Sequence, residues 1–147
     1  MNVAMVLLLA EEIGELLGWV AVALAAVPLA LYPAKKLLPA VMRSRKDLKK
    51  VSRSLLTSLK KLHMPIGIAI FFVVAGHGAL LFWTAGEFGM VEWIGTVALL
   101  VAVIGGFVGS SYAKKRKVKS LRAIHLGLLA IAIMISCVHI LLAWFLE

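Results

Sequence analysis

Residues 123–146, AIHLGLLAIAIMISCVHILLAWFL, contain no Asp, Glu, Lys or Arg. A helix needs about 20 predominantly apolar residues to cross the hydrocarbon core of a bilayer, so this run predicts a transmembrane helix. Three more uncharged runs have a similar length, at residues 16–34, 64–84 and 93–113. Together the four runs predict an all-α protein, a bundle of four transmembrane helices.

The composition agrees with a membrane protein. Of the 147 residues, 63% are hydrophobic and 16% are charged, and the mean hydropathy is +1.02. A soluble domain carries about 45–50% apolar and about 25% charged residues, so a soluble enzyme and a disordered tail are excluded. Cys137 is the only cysteine, and no C-x-x-C-H motif occurs. An internal disulfide and a covalently attached c-type haem are therefore excluded as well.

The basic residues define a topology. All 16 Lys and Arg residues fall in two segments, ten within residues 35–61 and six within residues 114–122. These segments connect helix 1 to helix 2 and helix 3 to helix 4, and an excess of Lys and Arg marks the cytoplasmic side. We expect both termini to lie on the extracytoplasmic side of the plasma (inner) membrane. The net charge of +9 then reflects topology and contact with the lipid bilayer, not a nucleic-acid partner.

We predict a single transmembrane domain over residues 1–147, with helix 1 ending near Pro33. The expected helices cover about residues 13–33, 62–84, 92–113 and 121–146, with a cytoplasmic connection at 34–61. Apolar residues recur in that connection at steps of three and four, which predicts an amphipathic basic helix on the cytoplasmic surface. They are Leu48, Val51, Leu55, Leu59 and Leu62. Such a helix either shields the inner end of the bundle or docks a partner.

The four histidines follow one spacing. His63 and His77 lie on predicted helix 2, and His125 and His139 lie on predicted helix 4, each pair with the pattern H-x13-H. That separation is within about 40° of four whole turns and spans on the order of 21 Å, so each pair shares one helix face. Helices 2 and 4 run parallel, which puts His63 and His125 at an inner depth and His77 and His139 at an outer depth. Two opposed imidazoles at one depth are what a six-coordinate haem iron needs, so two haem b groups are expected.

Three glycines fall near the predicted haem levels. Gly95 and Gly109 on helix 3 have the same spacing as the histidines and fall near the outer and inner levels, and Gly18 on helix 1 is near the outer one. Tyr32 stands near the inner level of helix 1. Glycine lets a macrocycle approach the backbone, and ordinary small-residue helix packing is the alternative explanation.

Two basic residues precede the inner histidines by three positions, Lys60 before His63 and Arg122 before His125. They are candidates to bind the inner haem propionates, or they belong only to the cytoplasmic basic segments. Near the outer end of helix 1, Glu11, Glu12 and Glu15 either accept protons from a quinol or are simply solvated. The tryptophans are expected to form an interfacial belt; they are Trp19, Trp83, Trp93 and Trp144.

Other roles for the histidines fit the pattern less well. An ionisable side chain inside a membrane is costly and is usually functional. A zinc or copper site needs further ligands near one point, and the two levels are too far apart to share an ion. A proton relay gives no reason for opposed pairs at two depths.

Two parallel helices, second and fourth of four, each with H-x13-H, resemble the haem-binding core of cytochrome b from quinol–cytochrome c and plastoquinol oxidoreductases. The four histidines carry the match, with Gly95 and Gly109 as a weaker echo. The pattern is also similar to the transmembrane part of ferric reductases and NADPH oxidases. The cytochrome b segment that builds the outer quinol site is missing from this sequence, as is the reductases' flavin and nicotinamide domain. The resemblance therefore implies the cofactor and leaves donor and acceptor open.

We thus expect transmembrane electron transfer through two stacked bis-histidine b haems, between a quinone or partner protein and an acceptor on the other face. One alternative is a haem-bearing membrane anchor subunit of a larger reductase. Another, from a different class, is a haem-free transporter or proton channel that uses the histidines.

Overall fold

The computed structural model describes residues 2–87, 89–115 and 117–146. Within these ranges the regular secondary structure is helical, in four elements, and each element is long and apolar enough to cross a membrane. The helices are α1 (Val3–Ser44), α2 (Lys49–Ala85), α3 (Met90–Lys114) and α4 (Lys119–Leu146). The chain is therefore a multi-pass, all-α membrane protein, and its helices are consistent with the predicted four-helix bundle.

The helices divide into two compact units. One unit contains residues 1–15 and 75–147, which are the first turns of α1, the last three turns of α2, and all of α3 and α4. The other unit contains residues 16–74, which are the rest of α1 and the larger, first part of α2, joined by a short turn at residues 45–48. Three of the four histidines lie in the first unit and His63 lies in the second.

Helix α1 is longer than predicted at both ends. It spans 42 residues, from Val3 to Ser44, and continues through Pro28, Pro33 and Pro39. Each proline removes one backbone N–H donor, but its fixed φ near −65° is a helical value. The helix can therefore continue through isolated prolines, and Pro33 does not end it. At 1.5 Å per residue α1 is about 63 Å long, roughly twice the thickness of a hydrocarbon core.

Helix α2 also differs from the prediction, because the amphipathic segment and the transmembrane segment form one continuous helix of 37 residues. One face of it is at least partly buried along its first half, at Ser52, Leu56, Leu59, His63, Ile66 and Ile70. This face keeps a helical period across Pro65, so the helix has no reason to break there. Val51 and Leu55 lie beside that face and are 65% and 49% exposed.

In the first unit, α3 and α4 pack against each other through small side chains. Ala98 and Gly105 on α3 and Ala132 on α4 are buried. Helix association in membranes depends on close backbone approach at such residues, while large apolar side chains face lipid. Phe107 and Phe145, for example, are 70% and 78% exposed.

The turn after α2 ends the helix with a glycine. Gly86 has φ +75° and donates its N–H to the carbonyl of Phe82 at 2.8 Å, a left-handed residue that closes the last turn. Trp83 before this turn, Trp93 after it and Trp144 near the end of α4 are all more than half exposed. Exposed indoles at these helix ends are typical of a membrane–water interface.

Candidate functional site

Three of the histidines make the same kind of hydrogen bond to the backbone of a neighbouring helix. Nδ1 of His77 lies 2.8 Å from the carbonyl oxygen of Gly14, Nδ1 of His125 lies 2.7 Å from that of Gly105, and Nδ1 of His139 lies 3.0 Å from that of Val91. A carbonyl oxygen only accepts hydrogen bonds, so each Nδ1 carries the proton and donates. In a neutral imidazole the lone pair is then on Nε2, the atom that binds a metal ion in this tautomer.

Two glycines on α3 lie under the two histidine rings of α4, Gly109 under His125 and Gly95 under His139. A Cβ atom added to Gly109 would stand 2.6 Å from Cε1 and 2.7 Å from Nδ1 of His125. A Cβ added to Gly95 would stand 2.9 Å and 3.1 Å from the same atoms of His139. Both pairs include a contact shorter than real Cβ atoms make. Only glycine therefore allows these rings to lie so close to α3.

The glycines also explain how the rings reach their carbonyls. Side chains on a helix tilt toward its N-terminus, so a Cβ covers the turn before it. Gly109 uncovers the carbonyl of Gly105, four residues earlier, and Gly95 uncovers that of Val91, also four residues earlier. Each glycine is thus part of the hydrogen-bonding arrangement of one histidine.

The two arrangements on α3 and α4 are repeats of one another. The histidines, the glycines under them and the carbonyls that accept from them all recur at the same interval along their helix: 125 and 139, 95 and 109, 91 and 105. The same local structure therefore occurs twice along the pair formed by α3 and α4, about 21 Å apart. The sequence put Gly95 near the outer level and Gly109 near the inner level, and in the structure Gly95 contacts His139 and Gly109 contacts His125.

The first turns of α1 supply the partner of His77. Gly14 is buried, and its added Cβ would stand 2.9 Å from Cδ2 of Leu81. Glu15 follows directly, and Glu11 lies one turn before it, both exposed on the surface of α1. Because the Gly14 carbonyl accepts from His77, these carboxylates leave α1 close to the level of His77 along the helix axis.

The rings of His77 and His139 lie close together. The ring centroids of His77 and His139 are 6.2 Å apart and the ring planes cross at 78°, so the rings are not stacked. A metal–imidazole nitrogen bond is about 2 Å long, and with both ring radii added the centroids of two imidazoles on one metal ion lie about 6 Å apart. The separation therefore matches a pair of axial ligands.

The donor set fits a haem iron better than a single metal ion. Among residues 2–87, 89–115 and 117–146, no group of three or more His, Cys, Asp and Glu side chains is placed to hold an ion. Zinc sites are almost always completed by four ligands and copper sites by three or more. A haem iron takes four nitrogens from its own macrocycle and needs only two from protein. Two imidazoles with the lone pair on Nε2 fit that requirement.

The contacts predicted between a haem and the remaining site residues stay predictions. His63, Gly18 and Lys60 belong to the second unit, so the pairing of His63 with His125 and the packing of Gly18 beside a haem remain predictions. Lys60 and Arg122 are exposed. At Gly95 and Gly109 the observed neighbours are imidazole rings, and packing of a macrocycle there also remains a prediction.

Sequence reasoning missed Gly14 and the two accepting residues on α3, Val91 and Gly105. Carbonyl acceptors leave no trace in side-chain identity, so Val91 carries no signal. Gly14 did carry one, since it lies one turn before Gly18 on the same face. The predicted start of helix 1 at residue 13 left Gly14 at a helix end, where a glycine needs no packing explanation.

In comparisons with known proteins, no family model, no curated protein and no solved structure matches this chain.

Proposed function

We propose that this chain is a transmembrane electron-transfer cytochrome that binds two b-type haems, one between His77 and His139 and one between His63 and His125. The observation that carries the proposal is the outer pair. Its two imidazoles are 6.2 Å apart, and each donates its Nδ1–H to a backbone carbonyl. Both Nε2 atoms are then available as axial ligands.

When bound, each haem takes up and releases one electron, which is the chemistry that the cofactor supplies. The chain's own residues orient the ligands and set their basicity. A carbonyl that accepts a hydrogen bond from Nδ1–H fixes the ring orientation and makes the Nε2 lone pair more basic, so Nε2 is a stronger metal ligand. Gly14, Val91 and Gly105 serve this purpose for three of the four histidines.

The second haem level rests on repetition. His125 has the same glycine and carbonyl arrangement as His139, and His63 precedes His77 by the same interval that separates the other pair. Ligands about 21 Å apart along parallel helices give a relay from one half of the bilayer to the other. Lys60 and Arg122 are the sequence candidates for the inner propionates.

The proposal includes an orientation and a partner. We assign both termini to the extracytoplasmic side of a plasma membrane, because all Lys and Arg residues lie in residues 35–61 and 114–122, at and around the α1–α2 and α3–α4 turns. One end of the relay exchanges electrons with a quinone or with a redox partner protein. Glu11, Glu12 and Glu15, near the outer histidines on α1, are candidates to accept protons from a quinol.

The proposal is tested by a reduced-minus-oxidised visible spectrum of the purified protein, with haem extracted into pyridine and counted per chain. We expect two b-type haems per chain. A chain expressed with adequate haem supply that contains none overturns the proposal and returns the histidines to proton or metal chemistry. A haem-loaded chain that exchanges electrons with neither quinols nor small reductants favours the alternative of an anchor subunit.

A further inference from the structure

Helix α2 begins well before its apolar run. It starts at Lys49, and the run without charged residues covers residues 64–84. A helix of that run is about 31 Å long, close to the thickness of a hydrocarbon core, and the headgroup layer adds about 5–8 Å on each side. Lys49 is about 22 Å from the start of the run along the helix axis, and a tilt of about 20° shortens this distance by only about 2 Å. Residues 49–58 of α2 therefore lie beyond the lipid head groups.

A basic groove runs along this end of α2 and the turn before it. It has a volume of about 700 Å³ and is lined by three hydroxyl side chains, Asp47 and five cations. The cations are Lys46, Lys49, Lys50, Arg53 and Lys61. Asp47 is the only Asp or Glu in residues 16–86, and its Oδ1 lies 4.0 Å from Nε of Arg45. The groove therefore carries a net positive charge, and apart from Asp47 its polar side chains can all donate hydrogen bonds to an anion.

An apolar strip lies beside the groove. Leu48, Val51, Leu55 and Leu62 recur at helical spacing and are all exposed, whereas Leu59 is on the partly buried face of α2. A segment that only shielded the bundle would bury these side chains against it. Exposed apolar residues bordered by charged ones are typical of an interaction site. Of the two roles that the sequence left open for this segment, the exposed strip favours docking.

We propose that the groove and the apolar strip dock an acidic, soluble one-electron carrier protein on the cytoplasmic side, an inference that rests on the proposed function and names the partner at that end of the relay. A positive groove selects an acidic surface and speeds its approach. Complexes between redox proteins are small and transient, so one side of a helix is a sufficient contact area. Lys61 precedes His63 by two residues, about 3 Å along α2, so the groove ends at the level of a proposed haem ligand.

The partner is a protein and not a lipid because of where the groove lies. Basic residues attract anionic lipid when they are close to the membrane surface, and the attraction falls off within a Debye length, about 8 Å at physiological salt. Lys49 and Lys50 are further than that from the head groups along the helix axis. A soluble acidic protein reaches them without approaching the bilayer.

The experiment measures the affinity of the haem-loaded protein for a plant-type ferredoxin, an acidic [2Fe–2S] carrier with a potential of about −400 mV. The protein is held in discs of phosphatidylcholine, a lipid without net charge, and its haem is counted per chain. The rate at which reduced ferredoxin reduces the haem is a second readout. Both are measured at low and at high ionic strength.

Three multiple variants are compared with the wild type, all at exposed positions. The groove variant is Lys50→Gln with Arg53→Gln and Lys61→Gln, and the strip variant is Val51→Gln with Leu55→Gln. The control, Lys114→Gln with Lys115→Gln and Lys117→Gln, removes the same number of charges from the other basic segment.

We expect the groove variant to bind ferredoxin about tenfold more weakly at low salt, since each exposed charge contributes modestly. This difference shrinks at high salt because salt screens charges. The strip variant loses affinity at both salt concentrations, because apolar burial is not screened. The control stays within about twofold of the wild type, and the reduction rates at low salt follow the affinities.

The outcomes separate the two proposals. A wild-type chain without haem overturns the proposed function. A haem-loaded chain whose ferredoxin affinity is the same in wild type and groove variant overturns this inference alone. Equal losses in the groove variant and the control overturn it as well, because they reflect only total charge. Ferredoxin binding that disappears in discs rich in phosphatidylglycerol assigns the groove to anionic lipid head groups and also overturns it.

Discussion

The rings of His77 on α2 and His139 on α4 lie with their centroids 6.2 Å apart. Each ring donates its Nδ1–H to a backbone carbonyl, His77 to Gly14 on α1 and His139 to Val91 on α3. The arrangement commits the Nδ1 atoms to the backbone and fixes the distance between the two rings. This is the preorganisation that axial ligands need.

Replacement of either outer histidine by alanine should remove one haem and keep the other. We expect His77→Ala and His139→Ala each to contain one haem per chain instead of two, because a single imidazole leaves the outer iron without its second protein ligand. Pyridine extraction and the reduced visible spectrum measure this. Cys137→Ala is the matched control, since Cys137 is exposed two residues before His139. Loss of both haems, or of neither, contradicts the two-level arrangement.

The glycines under the histidine rings should be intolerant of one added methyl group. Gly109→Ala places a carbon 2.6 Å from Cε1 of His125 and breaks the bond from Nδ1 to Gly105. Breaking that hydrogen bond costs about 1–3 kcal/mol, which corresponds to about a fivefold to 150-fold loss of haem affinity.

The control for this prediction is three residues away. Gly106 has nothing within 4 Å of an added Cβ, and alanine favours a helix over glycine by up to about 1 kcal/mol. Gly106→Ala should therefore retain haem and unfold at the same temperature or slightly higher. Equal haem content in Gly109→Ala and Gly106→Ala contradicts a role for the close contact.

The sequence was sufficient for the number of membrane-spanning helices, because that number follows from run length. The depth count put Gly95 and Gly109 at the two histidine levels, and in the structure these glycines contact His139 and His125, while the depths themselves stay predictions. Helix ends were not predictable in the same way. Pro33 suggested a stop, but α1 continues through it, because the fixed φ of proline is itself helical and only one backbone donor is lost.

The hydrogen bonds of the site were beyond sequence reasoning for a different reason. Their acceptors are main-chain oxygens of Gly14, Val91 and Gly105, and every residue has such an oxygen. What decides whether a carbonyl is reachable is the side chain four residues later. The sequence does show a glycine at that position in all three cases, Gly18, Gly95 and Gly109, but only the structure shows that an imidazole reaches each carbonyl.

Gly14 should respond to substitution more mildly than Gly109. Its added Cβ would stand 2.9 Å from Cδ2 of Leu81, the flexible end of a side chain that can move. We expect Gly14→Ala to lower stability by about 1–2 kcal/mol. Leu81→Ala should remove the obstacle, so the double variant should be more stable than the sum of the single effects predicts, by about 0.5–1 kcal/mol. Thermal unfolding in detergent measures all four chains, and strict additivity contradicts the contact.

The assignment of sides predicts which positions react from outside the cell. In a Cys137→Ala background, a cysteine at Glu87 in the α2–α3 connection should react with a membrane-impermeant maleimide in intact cells. A cysteine at Ser54, among the Lys and Arg residues of α2, should react only after the membrane is opened. Both positions are exposed, so accessibility to solvent does not distinguish them. Labelling of Ser54→Cys in intact cells would contradict the assignment of sides and invert the topology.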